Sequence, residues 1–247
     1  MYGFGKSEEL LGSFKKSASS DSPQPVIATK FAPLPWRFTR ASVVDACRAS
    51  LARLGVDQMS LYIQHWPGFG PSMFSNDAYL DGLADCVEQG LTKAVGVSNF
   101  NAQRLRKAHA ALKARGVVLS SNQVQYSLLY RAPETNGVKA ACEELGITLV
   151  ACACASGCCS PLWLLKFAFA VPPSPLTPPF FADSPLAQGL LTGKYGPGLV
   201  KPIGPRSALF TDDRLAKAAP VVALLRESER IKVAAFCAAW ALEGGWA

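Results

Sequence analysis

Short runs of strand-forming residues alternate along the chain with longer segments whose apolar positions recur every three or four residues, the pattern of successive βα units. The spacing predicts a helix from about Ser7 to Lys16, with Glu8 and Glu9 in its first turn and Lys15 and Lys16 in its last, which suits the helix dipole. A loop rich in Ser and Pro over 17–25 leads to a strand over 26–30. Thr39 then reads as the N-cap of a helix carrying Val43, Val44, Cys47, Leu51 and Leu54, and Gly55 stops it. Strands are expected over 61–66, 91–99, 120–126 and 147–151, with helices between them over 76–89, 102–115 and 133–145. Two further helices are expected over 211–225 and 228–242.

The run Leu61-Tyr62-Ile63-Gln64-His65-Trp66-Pro67 organises the rest. Tyr62, Ile63 and Trp66 favour strand and Pro67 cannot continue one, so His65 falls at the C-terminal end of a strand in a βα series. Parallel α/β barrels place their chemistry there. A hydrogen-bonded core histidine is the competing reading of that position. Around His65 the pattern puts other polar residues at strand ends: Lys30 at one, and Ser98 with Asn99 at another.

At 247 residues and 49% hydrophobic content, the chain is long enough for one large core of about the size of an eight-stranded barrel. A net charge of +7 favours anionic partners in general. The basic residues are scattered over helical segments, however, with Arg104, Arg106, Lys107, Lys113 and Arg115 reading as a solvated face of the helix over 102–115, and neither a zinc finger nor an aromatic RNA-binding signature is present, so nucleic acid is not expected as a partner. Charged Lys6, Glu8 and Glu9 arrive before any apolar run, so no secretory signal is expected and the cysteines are read as reduced thiols. Cys152, Cys154, Cys158 and Cys159 cluster at a spacing that matches no zinc pattern, and no metal is expected. The apolar run over 162–171 is about half the length a bilayer needs, and Lys166 interrupts it, so no membrane span is expected. Gly5-Lys6-Ser7 does not make a phosphate loop, because the earlier glycine and the leading strand are missing.

Six blocks in order resemble the aldo-keto reductases, and among them the plant and algal plastid-type branch. They are Tyr2-Gly3 with Gly5-Lys6-Ser7-Glu8; Ala28-Thr29-Lys30-Phe31; His65-Trp66; Gly96-Val97-Ser98-Asn99-Phe100; Asn122-Gln123-Val124 with Tyr126; and the loop from Ser184 to Tyr195. The resemblance implies a (β/α)8 TIM barrel in the α/β class, reducing a small-molecule carbonyl substrate with NADPH. It makes Tyr2 the general acid, Lys30 the cation that lowers its pKa and His65 the group that orients the carbonyl. Ser98, Asn99 and Gln123 would hold the nicotinamide carboxamide, and Tyr126 would lie against the ring, with core packing equally open for it. Ser184, Pro185, Leu186, Gln188, Gly189 and Lys194 would embrace the pyrophosphate. The branch suggests a chloroplast location, with the cytoplasm as the alternative.

Set against the family pattern, the chain starts one residue before Tyr2, so the first two strands of the barrel and the aspartate that pairs with the lysine are expected to be missing, as is the last strand. One domain over 1–247 is expected, interrupted by a foreign insertion over 152–183. Two alternatives stand beside the enzyme: a non-catalytic nucleotide-binding or interaction protein, and an inactive fragment from an incomplete gene model.

Overall fold

The computed structural model describes residues 5–17, 27–68, 70–127, 130–151, 181–182, 195–198 and 210–227. The chain divides into two compact units. The first holds the described residues up to 123 together with 137–148; the second holds 124–136 and the described residues from 149 onward.

The first unit alternates helix and strand: α1 (Lys6–Ser17), β1 (Ala28–Phe31), α2 (Arg40–Leu54), β2 (Met59–Gln64), α3 (Asn76–Glu88), β3 (Thr92–Ser98), α4 (Ala102–Lys113) and β4 (Leu119–Val124), with α6 (Val138–Leu145) returning to it. The strands pair in chain order and in parallel, with Lys30 level with Ile63, Ile63 with Gly96 and Gly96 with Ser121. This is the α/β architecture of the TIM barrel. Helices that cross over between parallel strands cover one face of the sheet, where Phe31, Tyr62, Val95, Val97 and Leu119 are buried.

Thr39 caps α2 as the sequence suggests, its hydroxyl accepting from the Ser42 amide at 3.2 Å, and Gly55 closes the helix in the left-handed region at φ 63°. Val43, Cys47 and Leu54 of α2, Tyr79, Leu83 and Cys86 of α3, and Leu105 and Leu112 of α4 are buried with Phe31, Tyr62, Val95, Val97 and Leu119 of the sheet. The Phe31 and Tyr79 rings meet at 5.2 Å. Two helices approach so closely that one position has no room for a side chain. A Cβ on Gly82 of α3 would lie 2.6 Å from both the Arg40 carbonyl oxygen and the Val43 Cβ of α2.

Polar contacts fix the helices around this core. Glu8 of α1 accepts from the Thr29 hydroxyl of β1 at 2.5 Å and from Arg53 of α2 at 2.6 Å. Burial by itself would raise the Glu8 pKa; the Thr29 and Arg53 hydrogen bonds outweigh it and hold the carboxyl below its ordinary range. Three of the five basic residues expected to form a solvated face over 102–115 are instead paired. Arg106 bonds Glu144 of α6 at 2.6 Å, Lys107 bonds Asp77 at 2.8 Å, and Arg115 reaches Asp85 and Glu88 of α3. Arg40 of α2 closes the same cluster on Asp85.

The second unit contains α5 (Ala132–Thr135), β5 (Thr148–Ala151), which begins at the boundary, β6 (Phe181–Ala182) and α7 (Asp212–Glu227). β5 and β6 pair in parallel, Val150 with Phe181. The single helix expected over 133–145 is two, α5 and α6, because Gly137 between them adopts φ 80° and breaks the helical path. The cysteine cluster at 152–159, the apolar run over 162–171 and the helix expected over 228–242 lie outside the described residues. Among the described helices none is long and apolar enough to cross a membrane.

Gly82→Ala is the sharpest test of this packing. At an exposed helical site that change stabilises by about 0.5–1 kcal/mol. Here the clash with the α2 backbone reverses the sign, and urea unfolding is expected to show a net loss of about 1–3 kcal/mol.

Candidate active site

Side chains two residues apart along a strand share a face, so Lys30, Ile63, Gly96 and Ser121 form one level of the sheet. His65, Ser98 and Gln123 form the next level toward the C-terminal ends. Gly96 is the glycine this arrangement demands. The Ser121 hydroxyl already occupies the space where its Cβ would stand, and the Ile63 Cγ1 is 3.5 Å away. The register shifts by one residue between Val95 and Gly96, and that irregularity sets Ser121 and Gln123 on the same face as Lys30 and His65.

β2 ends at Gln64, so His65 is the first residue beyond the strand. Its backbone is nevertheless held from both sides. The His65 amide donates to the Phe31 carbonyl at 2.9 Å, and its own carbonyl accepts from the Asn99 side-chain Nδ2 at 3.1 Å. The imidazole is buried and its ring lies 4.1 Å from that of Trp66, tilted by 43°. Burial, and then the nearby Lys30 ammonium, push the imidazole down from the ordinary 6.5 to about 3, so the ring is neutral near pH 7. Lys30 is half-buried on the neighbouring strand.

The end of β3 is tied to the end of β4 twice over. The Ser98 hydroxyl and the Asn99 amide both donate to the Gln123 carbonyl, each at 2.8 Å. Asn99 Nδ2 also donates to the Ser98 Oγ at 3.1 Å. Asn99 is exposed and stands at φ 62°, the one non-glycine residue with positive φ among those described. Its Oδ1 accepts no hydrogen bond among the described residues, which leaves a fixed acceptor at the strand end. The carboxamide nitrogen of a nicotinamide needs such a group, and the residues present therefore fit the cofactor the sequence implies.

Two contributors were not legible in the sequence. Gln64 is fully buried, and its Nε2 donates to the Trp66 carbonyl at 3.1 Å and to Asn76 Oδ1 at 3.2 Å. Asn76 Oδ1 also accepts from the Gly68 amide at 2.9 Å, so the pair shapes the loop that leaves His65. A glutamine within an apolar strand, followed by an Asn twelve residues on, was the available signal.

The structure thus brings Lys30, His65, Ser98, Asn99 and Gln123 to one end of β1–β4. Tyr126 belongs to the second unit, past the end of β4; it is buried and its hydroxyl donates to Glu134 at 2.5 Å. Tyr2, Ser184, Pro185, Leu186, Gln188, Gly189 and Lys194 lie outside the described residues. Among the described residues no group of His, Cys, Asp or Glu is gathered as a metal site would require.

The aldo/keto reductase family model matches residues 1–158. Over 209 residues the chain is 40% identical to a chloroplastic pyridoxal reductase of Arabidopsis thaliana, covering 83% of this chain and 48% of that protein. It spans about half the length of the curated relatives it matches. An aldo/keto reductase from Klebsiella pneumoniae, solved in complex with NADP and acetate, superposes with a TM-score of 0.50 at 26% identity, over 61% of this chain and 49% of that one. A glycerol dehydrogenase from Gluconobacter oxydans shares the fold at a TM-score of 0.69 and 23% identity, over 99% of this chain and 67% of that one. With the family model matched over more than half of its length, the chain belongs to the aldo/keto reductase family.

Proposed function

We propose that this chain reduces an aldehyde or ketone to the alcohol with NADPH, in one barrel domain that carries an insertion over 152–183. One observation carries the reading: Lys30, His65, Ser98, Asn99 and Gln123 come from four consecutive parallel strands and meet at their C-terminal ends. NADPH, when bound, supplies the hydride. Asn99 Oδ1, Ser98 and Gln123 hold the carboxamide and so set which face of the ring is presented. His65, neutral at physiological pH, donates a hydrogen bond to the substrate oxygen without competing for the proton. Tyr2 delivers the proton to that oxygen, and Lys30 makes this feasible by stabilising the phenolate left behind, whose ordinary pKa is about 10. The roles of Tyr126 and of the loop from Ser184 to Lys194 rest on the family resemblance. The Arabidopsis relative's name makes pyridoxal the first aldehyde to try and supports a plastid setting over the cytoplasm.

Titrating the purified chain with NADPH and following cofactor fluorescence is expected to give saturable binding, weakened by Lys194→Ala. Tyr2→Phe is expected to bind NADPH as the wild type does and to reduce pyridoxal at least about 100-fold more slowly. A folded chain that binds no NADPH would exclude the proposal.

The buried imidazole also predicts a pH dependence of stability. A base whose folded pKa lies below its unfolded value is protonated first in the unfolded chain. His65 therefore contributes fully above about pH 6.5, and that contribution falls as the pH drops toward about 3. The slope is at most about 1.4 kcal/mol per pH unit. Urea unfolding between about pH 6.5 and 4 should show His65→Phe losing stability less steeply than the wild type.

A further inference from the structure

We infer that Asn99 is a positioning residue for His65: its side-chain amide takes the place of a missing ladder donor and couples the cofactor end of β3 to the carbonyl-orienting histidine. The inference rests on the proposed reduction and names a function for Asn99 beyond contact with the carboxamide.

In a parallel sheet each carbonyl expects a backbone N–H from the neighbouring strand. At the end of β2 this fails for His65. The His65 amide bonds Phe31 on the β1 side, so the regular donor to its carbonyl would be residue 33 of that same chain segment, and Pro33 has no N–H; at the end of β3 the chain leaves the sheet at Asn99 through a left-handed turn at φ 62°. The His65 carbonyl accepts the Asn99 side-chain Nδ2 instead, at 3.1 Å. Asparagine suits both demands, because it tolerates the left-handed region better than other residues with a Cβ and carries an amide short enough to reach the adjacent strand.

The same Nδ2 donates to Ser98 Oγ, whose own proton goes to the Gln123 carbonyl. With two acceptors on one nitrogen, the amide has a single orientation, and Oδ1 is left as the acceptor presented to a cofactor. A push on Oδ1 is therefore transmitted through one rigid planar group to the His65 backbone. On its other side that backbone is fixed by the 2.9 Å bond to Phe31, one residue after Lys30. The chain Phe31, His65, Asn99, Ser98, Gln123 thus links all four strands at the level where the substrate oxygen would sit.

Asn99→Gly separates this role from simple carboxamide contact, because glycine keeps the left-handed backbone and removes only the side chain. The first readout needs no cofactor: the His65 ring resonances of the cofactor-free protein, assigned by comparison with His65→Phe. They are expected to shift in Asn99→Gly, and in Asn99→Asp, which keeps the shape and loses the donor. At saturating NADPH, kcat/KM for pyridoxal is expected to fall about 10- to 100-fold in both variants, beyond any change in NADPH affinity. Unchanged cofactor-free His65 resonances, with an effect confined to NADPH affinity, would overturn the positioning role. If the wild type binds no NADPH, the proposed reduction fails, while the cofactor-free resonances still decide whether Asn99 holds His65.

Discussion

The register of four parallel strands is the constraint on which the rest depends. Side chains alternate between the faces of a strand, so a slip of one residue between β2 and β3 would move His65 or Ser98 from the site to the helix side. Two features hold that register. On the outer face, large side chains such as Tyr62, Val95 and Tyr79 are fully buried and accept no exchange with the polar set opposite. On the inner face, Gly96 admits the Ser121 hydroxyl into the space a side chain would take, so β3 and β4 fit only with these two residues side by side. The irregularity between Val95 and Gly96 is part of the same fit, and Gln123 reaches the site level because of it.

Once the strands are aligned, the ends of the sheet are closed by side chains rather than by more ladder. Gln64 and Asn76 hold the loop that follows His65, Asn99 holds the His65 carbonyl, and Ser98 holds Gln123. On the helix side, Glu8 ties α1 to Thr29, the residue before Lys30. A site assembled in this way is rigid before any ligand arrives, which a reaction dependent on placing a carbonyl against a ring requires. The neutral state of His65 follows from the same enclosure, since burial is the larger cause of its low pKa and Lys30 adds to it.

Much of this was legible in the sequence. Apart from α6, periodicity located the strands and helices of the first unit to within about two or three residues, and polar residues at apolar strand ends singled out Lys30, His65, Ser98 and Asn99. The gaps have physical causes. Periodicity does not report backbone conformation, so neither the left-handed turn at Asn99 nor the break that Gly137 makes between α5 and α6 was foreseen. Nor does it report partners across sequence: Arg106 and Arg115 read as a solvated face because Glu144, Asp85 and Glu88 are far along the chain. A glutamine among apolar strand neighbours signals that Gln64 has a polar partner, but not that the partner is Asn76 and the loop after His65.

The account's central claim is that these strand ends form a hydride-transfer site. It is tested most directly with NADPH deuterated at the transferable position of its ring. The purified chain is incubated with this cofactor and pyridoxal, and the alcohol is examined by mass spectrometry and NMR. The account predicts one deuterium on the former carbonyl carbon, with the yield strongly reduced in His65→Phe. Product without deuterium at that carbon, or no product from a folded chain that binds the cofactor, would contradict it.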